Sequence, residues 1–242
     1  MRTAIVSDIH GNLAALEAVV ADLRITSPDL VLHGGDLADS GSGPVEVVDL
    51  IRSLGWHGVA GNTDELLAMP DVFEAFARER PGLENIWAPI REMAAFAREK
   101  LGEERLAWLR GLPPAYVDDR LALVHASPAS RWLSPAIGAA DSELAEAYGN
   151  LLPRTVVYGH IHIPFVRRLG GFPGAYVANS GSVGQPHDGD RRAGYLLIDD
   201  GAPAIRRVEY DVDRQCRALL ASGLPHAEWM KRVLETARPQ IP

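Results

Sequence analysis

Cysteine is nearly absent: Cys216 is the one thiol in 242 residues. An internal disulfide and a thiolate metal cluster are both excluded. Long apolar runs are missing too. No stretch approaches the ~20 residues of a membrane span, and charges interrupt every hydrophobic segment. The opening Met1 to Val6 carries one basic residue and soon meets Asp8. A signal peptide would need a longer apolar region and a small-residue cleavage site, so the expected location is cytoplasmic. Basic runs are lacking as well. With 24 Lys and Arg against 32 Asp and Glu, the net charge is -8. That balance opposes nonspecific binding to nucleic acid or to an anionic membrane. Internal repeats, low-complexity tracts and linkers are likewise absent.

What is present is an ordinary globular composition, 47% hydrophobic and 23% charged. A chain of this length buries roughly 70–75% of its unfolded surface and needs no staples to hold a core. Thr3 to Val6 reads as a strand, and Gly11-Asn12 leads into apolar positions Leu13, Leu16, Val19, Val20 and Leu23. That is helical spacing with Asn12 as N-cap. The unit repeats with a strand over Asp29 to Leu32, a Gly34-Gly35-Asp36 loop and a helix from Pro44. A third strand at Gly58 to Ala60 leads into Gly61-Asn62-Thr63-Asp64. Strands alternating with helices in this way predict βαβ units and a parallel sheet, with ligands bound at the carboxyl ends of the strands.

From about Glu65 to Leu112 the pattern is helical, broken at Pro70, Pro81-Gly82 and Pro89. It is either a helical excursion packed on the body of the fold or a cap over a site. Beyond Pro114 the character changes. Tyr116-Val117 and Leu121 to Val124 flank Asp118-Asp119-Arg120 as a hairpin. Further strands are expected at Thr155 to Tyr158, Phe165 to Leu169, Ala175 to Ala178, Gly194 to Ile198 and Ile205 to Tyr210, with helix again from Asp213. The second half therefore reads as a second sheet packed on the first, within one domain of residues 1–242 that carries a helical, cap-like insertion at about 65–112.

Polar residues gather where these strands end: Asp8 and His10, Asp36, Asn62, His125, then His160 and His162. Carboxylate, imidazole and amide oxygen suit divalent Mn, Fe, Ni or Zn. One carboxylate can bridge two ions about 3.5–4 Å apart, the separation used in two-metal phosphoester hydrolysis. A lone Asp-x-His or His-x-His pair is more often surface or helix-cap chemistry. Seven such residues at strand exits, interleaved with glycine, are hard to explain that way.

The set Asp8-Ile9-His10-Gly11-Asn12, Gly35-Asp36-Leu37-Ala38-Asp39, Gly61-Asn62-Thr63-Asp64, His125-Ala126-Ser127-Pro128 and Gly159-His160-Ile161-His162 resembles the calcineurin-like metallophosphoesterases. Asn179 to Pro186 is similar to the Asn-x-Gly-Ser-x-Gly segment of their small bacterial and archaeal branch. The resemblance runs from residue 3 to about 199. It implies an α/β fold, a four-layer αββα sandwich of two mixed sheets, with a dinuclear metal centre at the sheet edges. By the same resemblance Asp8, His10 and His162 would hold one ion, Asn62, His125 and His160 the other, and Asp36 both. The implied activity is hydrolysis of phosphodiesters or phosphomonoesters by a hydroxide bridging the two ions. Manganese is the leading choice, with Fe, Ni or Zn as alternatives, and the implied substrate is a small phosphoester, a nucleotide included. A non-catalytic interaction scaffold on the same fold is the alternative. A retired site would be expected to lose ligands, and here none is lost.

One departure stands out. Many members carry His directly after the Asn of the third motif, where this chain has Thr63. Asp36, Asn62 and His33 are the candidates for a part in the catalytic step, His33 as substitute proton donor or else as a packed strand-end residue. Arg131, Arg191 and Arg192 are candidates for substrate phosphate, because guanidinium matches that geometry bidentately. Asp39 and Asp64 read as ligand-orienting or capping residues. His187 is expected on a loop near solvent, and Trp132 at a pocket wall. At least Asp8 and Asp36 among the acids would be ligands, and two divalent ions would add about +4 locally. An acidic surface can thus coexist with a cationic pocket.

Overall fold

The computed structural model describes all residues, Met1–Pro242. Its first strand, β1 (Thr3–Val6), shows why the molecule has layers. Alternate side chains leave opposite faces of a strand. Ala4 and Val6 enter one apolar cluster with the helices, while Ile5 enters another lying between the two sheets. The helical cluster collects α1 (Leu13–Thr26), α2 (Pro44–Ser53), α3 (Asn62–Ala68), α4 (Pro70–Arg78) and α5 (Glu84–Arg110). Within α5, Gly102 has φ 66° and breaks the helix into two segments.

β1 pairs in parallel with β2 (Leu30–His33), and β2 with β3 (His57–Gly58). On its other side β1 meets β9 (Ala193–Asp199) antiparallel, and β9 pairs with β10 (Ala202–Val208), giving the order β10-β9-β1-β2-β3. The second sheet is built from β4 (Ala115–Val117), β5 (Leu121–Val124), β6 (Thr155–Tyr158), β7 (Phe165–Arg168) and β8 (Tyr176–Asn179) in the order β4-β5-β6-β8-β7. The hairpin expected around Asp118 is β4–β5, and β5, β6 and β8 run parallel. Both sheets are mixed. Ile5, Leu32, Leu196 and Ile198 of the first meet Leu121, Leu123, Val157 and Ala178 of the second. The outer face of the second sheet packs on α6 (Asp141–Tyr148) through Leu144 and Tyr148.

Three differences from the sequence reading have physical causes. The strands β9 and β10, expected in the second sheet, extend the first, because β9 pairs with β1 and pairing between strands far apart in sequence leaves no local signal. α6 went unexpected because its stretch, Asp-Ser-Glu-Leu-Ala-Glu-Ala-Tyr, buries only two residues and shows little apolar periodicity. The C-terminal helix is two helices, α7 (Val212–Ala221) and α8 (Ala227–Thr236), parted at Gly223, whose φ of 82° lies in the left-handed region that favours glycine. They pack on α5 through Cys216, Leu219, Met230, Val233 and Met93.

Candidate metal centre

Parallel strands of both sheets deliver their carboxyl ends to one place. Asp8 and His10 follow β1, Asp36 follows β2, Asn62 follows β3, His125 follows β5, and His160 and His162 follow β6. Five of these residues have left-handed backbone: Asp8 (φ 56°), His10 (49°), Asp36 (55°), His160 (67°) and His162 (57°). Such conformations are unfavourable for residues other than glycine and concentrate at functional sites. Here they turn the chain sharply out of each strand.

Ligand atoms of Asp8, His10, Asp36 and His162 all lie within 4.8 Å of one another, and all four residues are buried. His162 Nε2 is 3.3 Å from Asp8 Oδ1 and 3.2 Å from His10 Nε2. Beside them, Asn62 Oδ1 lies 2.8 Å from His125 Nε2 and 2.8 Å from His160 Nδ1. The Asp36 carboxylate stands between the two groups, Oδ1 at 3.4 Å from His125 Nε2 and Oδ2 at 3.7 Å from His10 Nε2.

Outer partners orient this set. His162 Nδ1 is 2.7 Å from the Gln185 carbonyl and His125 Nδ1 is 2.8 Å from the Gly34 carbonyl. A carbonyl only accepts, so both Nδ1 atoms donate outward and both Nε2 atoms face the cluster, where they are the nitrogens left for an ion. Asp64 accepts from the backbone N–H groups of Asp36 (2.8 Å), Leu37 (3.0 Å) and Gly61 (2.9 Å), joining two ligand-bearing loops. Close approach leaves no room for a side chain at two glycines. A Cβ on Gly61 would lie 2.0 Å from Asp36 Oδ1, and one on Gly159 2.3 Å from Asp8 Oδ2.

The electrostatics reflect burial of many titratable groups together. Burial pushes His10 and His160 down to about 3, aided by neighbouring imidazoles. Burial also pushes Asp36 up to about 7 against the opposing pull of His125. At His125 burial acts to lower the pKa, but the Asp36 and Asp8 carboxylates outweigh it and raise it. His162 is raised against burial by Asp8. At Asp8 the His162 imidazole and its neighbours overcome burial and hold the carboxyl well below its ordinary range. Buried carboxylates and imidazoles in this number need protons or cations for compensation. The donor set, two carboxylates, four imidazoles and one amide oxygen, fits divalent ions.

The cluster opens into a cavity of about 200 Å³. His10, Asn62 and Thr63 line one side, and Trp132 lines it as the sequence indicated. The other candidates are not brought in. His33 is fully buried against Trp108, ring centroids 6.1 Å apart, and neither ring nitrogen has a partner. Its apolar surroundings push it down to about 3, which leaves it neutral and away from any substrate. Arg192 pairs with Asp190 at 2.7 Å and, with Arg191, lines a separate surface depression that also holds Glu209. Arg131 is paired with Glu65 and does not line the cavity. Arg192 spends its fork on Asp190 through Nε and Nη2, whereas Arg131 engages Glu65 through Nη1 alone.

His187 lies on a loop as expected, but half-buried beside the cluster. Its ring stacks on His162, centroids 4.3 Å apart, and faces the cavity. Trp229, Met230 and Val233 of α8 also line it, and nothing in their helical pattern distinguished them from ordinary core residues.

Comparison with known proteins identifies the family. The model of the calcineurin-like phosphoesterase superfamily domain matches residues 1–201. An uncharacterized protein of Methanocaldococcus jannaschii is 29% identical over 245 residues, 94% of each chain. The symmetrical bis(5'-nucleosyl)-tetraphosphatase of Sodalis glossinidius is 33% identical over 138 residues, 54% of this chain and 45% of that one, so the match spans less than half of that relative. Among solved structures, a metallophosphoesterase from Sphaerobacter thermophilus superposes with a TM-score of 0.78 at 27% identity, covering 98% of this chain and 99% of that one.

Proposed function

The chain belongs to the calcineurin-like phosphoesterase superfamily and is a hydrolase acting on phosphoric ester bonds; from that premise we propose that it hydrolyses small phosphodiesters or phosphomonoesters at a centre of two divalent ions. Asp8, His10 and His162 would hold one ion, Asn62, His125 and His160 the other, and Asp36 would serve both. The observation that carries this reading is the position of Asp36, one carboxylate oxygen toward His125 and the other toward His10. Divalent ions bound by these residues would supply Lewis acidity, lowering the pKa of water and neutralising charge on the phosphoryl oxygens.

The chain's own contribution is orientation. Backbone carbonyls of Gly34 and Gln185 fix the tautomers of His125 and His162, and Asp64 holds the Asp36 and Asn62 loops together. The Asn179–Pro186 segment braces the first loop, with Ser182 Oγ donating to the Asp8 carbonyl at 2.6 Å. Manganese is the proposed ion, with Fe, Ni or Zn as alternatives. The partial similarity to a bis(5'-nucleosyl)-tetraphosphatase makes a nucleotide-like ester the natural comparison substrate. Residues 1–242 are read as one domain with 65–112 as its cap, and the location as cytoplasmic. No helix is long and apolar enough to cross a membrane.

The test is metal analysis joined to a mono- and diester hydrolysis panel. The unmodified protein should carry two ions per chain, and Asp36→Asn should lose both ions and activity. Full activity of that variant, or of chelator-stripped protein, would overturn the reading.

A further inference from the structure

The cavity beside the cluster is built unlike a polyphosphate site. Its far wall comes from outside the matched family domain, which ends at residue 201: Trp229, Met230 and Val233 belong to α8. The cap contributes Ile90 and Met93 to the same wall. Trp132 is held rigidly, its Nε1 donating to Glu65 at 2.8 Å and its ring stacked on Phe76 with centroids 4.8 Å apart. No lysine or arginine lines the cavity, and one carboxylate, Asp39, does.

Charge and volume point the same way. A chain of several phosphates needs cationic side chains beyond the ions at the reacting phosphorus. None is present here. The volume is about 200 Å³, and an apolar cavity of about 150 Å³ holds one benzene ring. There is room for a phosphoryl group and one ring-sized substituent within this cavity.

Building on the hydrolase reading above, we infer that α8 and the cap form an apolar subsite that selects phosphoesters bearing a single ring-sized apolar group and rejects dinucleoside polyphosphates. The subsite contacts the substituent, not the bond that breaks. Its rigid aromatic wall costs little ordering on binding, so ring burial appears directly as affinity.

Binding is measured by calorimetry on the manganese-loaded full chain with two non-hydrolysable probes, phenylphosphonate and methylphosphonate. Phenylphosphonate should bind at least roughly tenfold tighter, as expected for burying one ring. Ile90→Trp, a change at a half-buried position, should erase most of that ratio while leaving the bound manganese unchanged. Equal affinities for the two probes would overturn the inference, as would an unchanged ratio in Ile90→Trp.

Hydrolysis gives an independent arm with the leaving group held constant. The phenyl 4-nitrophenyl diester should show a higher kcat/KM than the methyl 4-nitrophenyl diester, and diadenosine tetraphosphate should fall below both. Turnover of diadenosine tetraphosphate at or above the phenyl ester would overturn it. Absence of hydrolysis of every ester would refute the hydrolase reading, while the phosphonate ratio still decides the subsite.

Discussion

Thr63 follows Asn62 directly, its backbone N–H donating to Asp36 Oδ1 at 2.9 Å and its hydroxyl buried without a partner. A threonine hydroxyl cannot protonate a leaving oxygen near neutral pH, and such help is typically worth ~10²–10⁴-fold. His33, the sequence-level substitute, is sealed against Trp108. The rate should therefore depend steeply on the leaving group, with activated aryl esters favoured over simple alkyl esters beyond their intrinsic reactivity. A plot of log kcat/KM against leaving-group pKa measures this. Comparable normalised turnover of both kinds would show that another donor is at work. The residues gathered in the cluster were legible in the sequence because each follows a strand in a recognisable order. Their left-handed backbones were not, although Asp and His are among the residues that tolerate that conformation best.

At the level of elements, the start of α3 joins fold and chemistry. Asp64 sits in its first turn and gathers three backbone N–H groups, those of Gly61, Asp36 and Leu37. It acts as a cap for α3 and as a clamp on the loop after β2. The sequence pointed to capping or ligand orientation, and the structure combines both in one carboxylate. In Asp64→Ala these buried donors lose their acceptor, at ~1–3 kcal/mol each. The expected loss is about 3 kcal/mol or more in urea unfolding of the metal-free protein, with weaker manganese binding in calorimetry. A variant with unchanged stability and unchanged affinity would remove Asp64 from this role. Asn12 behaves as its sequence position indicated, its Oδ1 accepting from Ala15 N at 3.1 Å to cap α1. It also donates to the Gly184 carbonyl at 2.9 Å, a link across 172 residues that no local pattern encodes.

The whole molecule sets the pH response, because the cluster is assembled from both sheets. Asp36, pushed by burial from 3.8 up to about 7, holds its proton more tightly in the folded metal-free state than in the unfolded chain. His125 and His162 act with the same sign, raised by Asp36 and Asp8 against burial. The stability these three confer is full below their unfolded pKa values and is lost as pH rises through the folded ones. His10 and His160 oppose them. Burial lowers these two from 6.5 to about 3, so their contribution is lost as pH falls from 6.5 toward 3. Ions bound at the proposed centre would displace the protons on Asp36, His125 and His162. Manganese affinity should thus fall as pH drops below about 7, by about tenfold per pH unit for each proton displaced. Calorimetric titration between about pH 5.5 and pH 8 checks it, and an affinity independent of pH would contradict it.

The one-dimensional pattern was sufficient for the βαβ start, the hairpin at Asp118 and the gathering of seven polar residues at strand ends. These depend on local periodicity, turn chemistry and the rule that α/β sheets place ligands at strand ends. The pattern was not sufficient for the pairing of β9 and β10 with β1 in the first sheet. Only the tertiary structure decided which polar residues face one another. It drew Arg131 to Glu65, Arg192 to Asp190 and His33 into the core, and stacked His187 on His162. It also brought α8 over the site, more than 160 residues after Asn62. The physical reason is that strand and helix periods are set by neighbours in sequence, whereas pairing of charges and closure of a cavity depend on distances that folding alone creates.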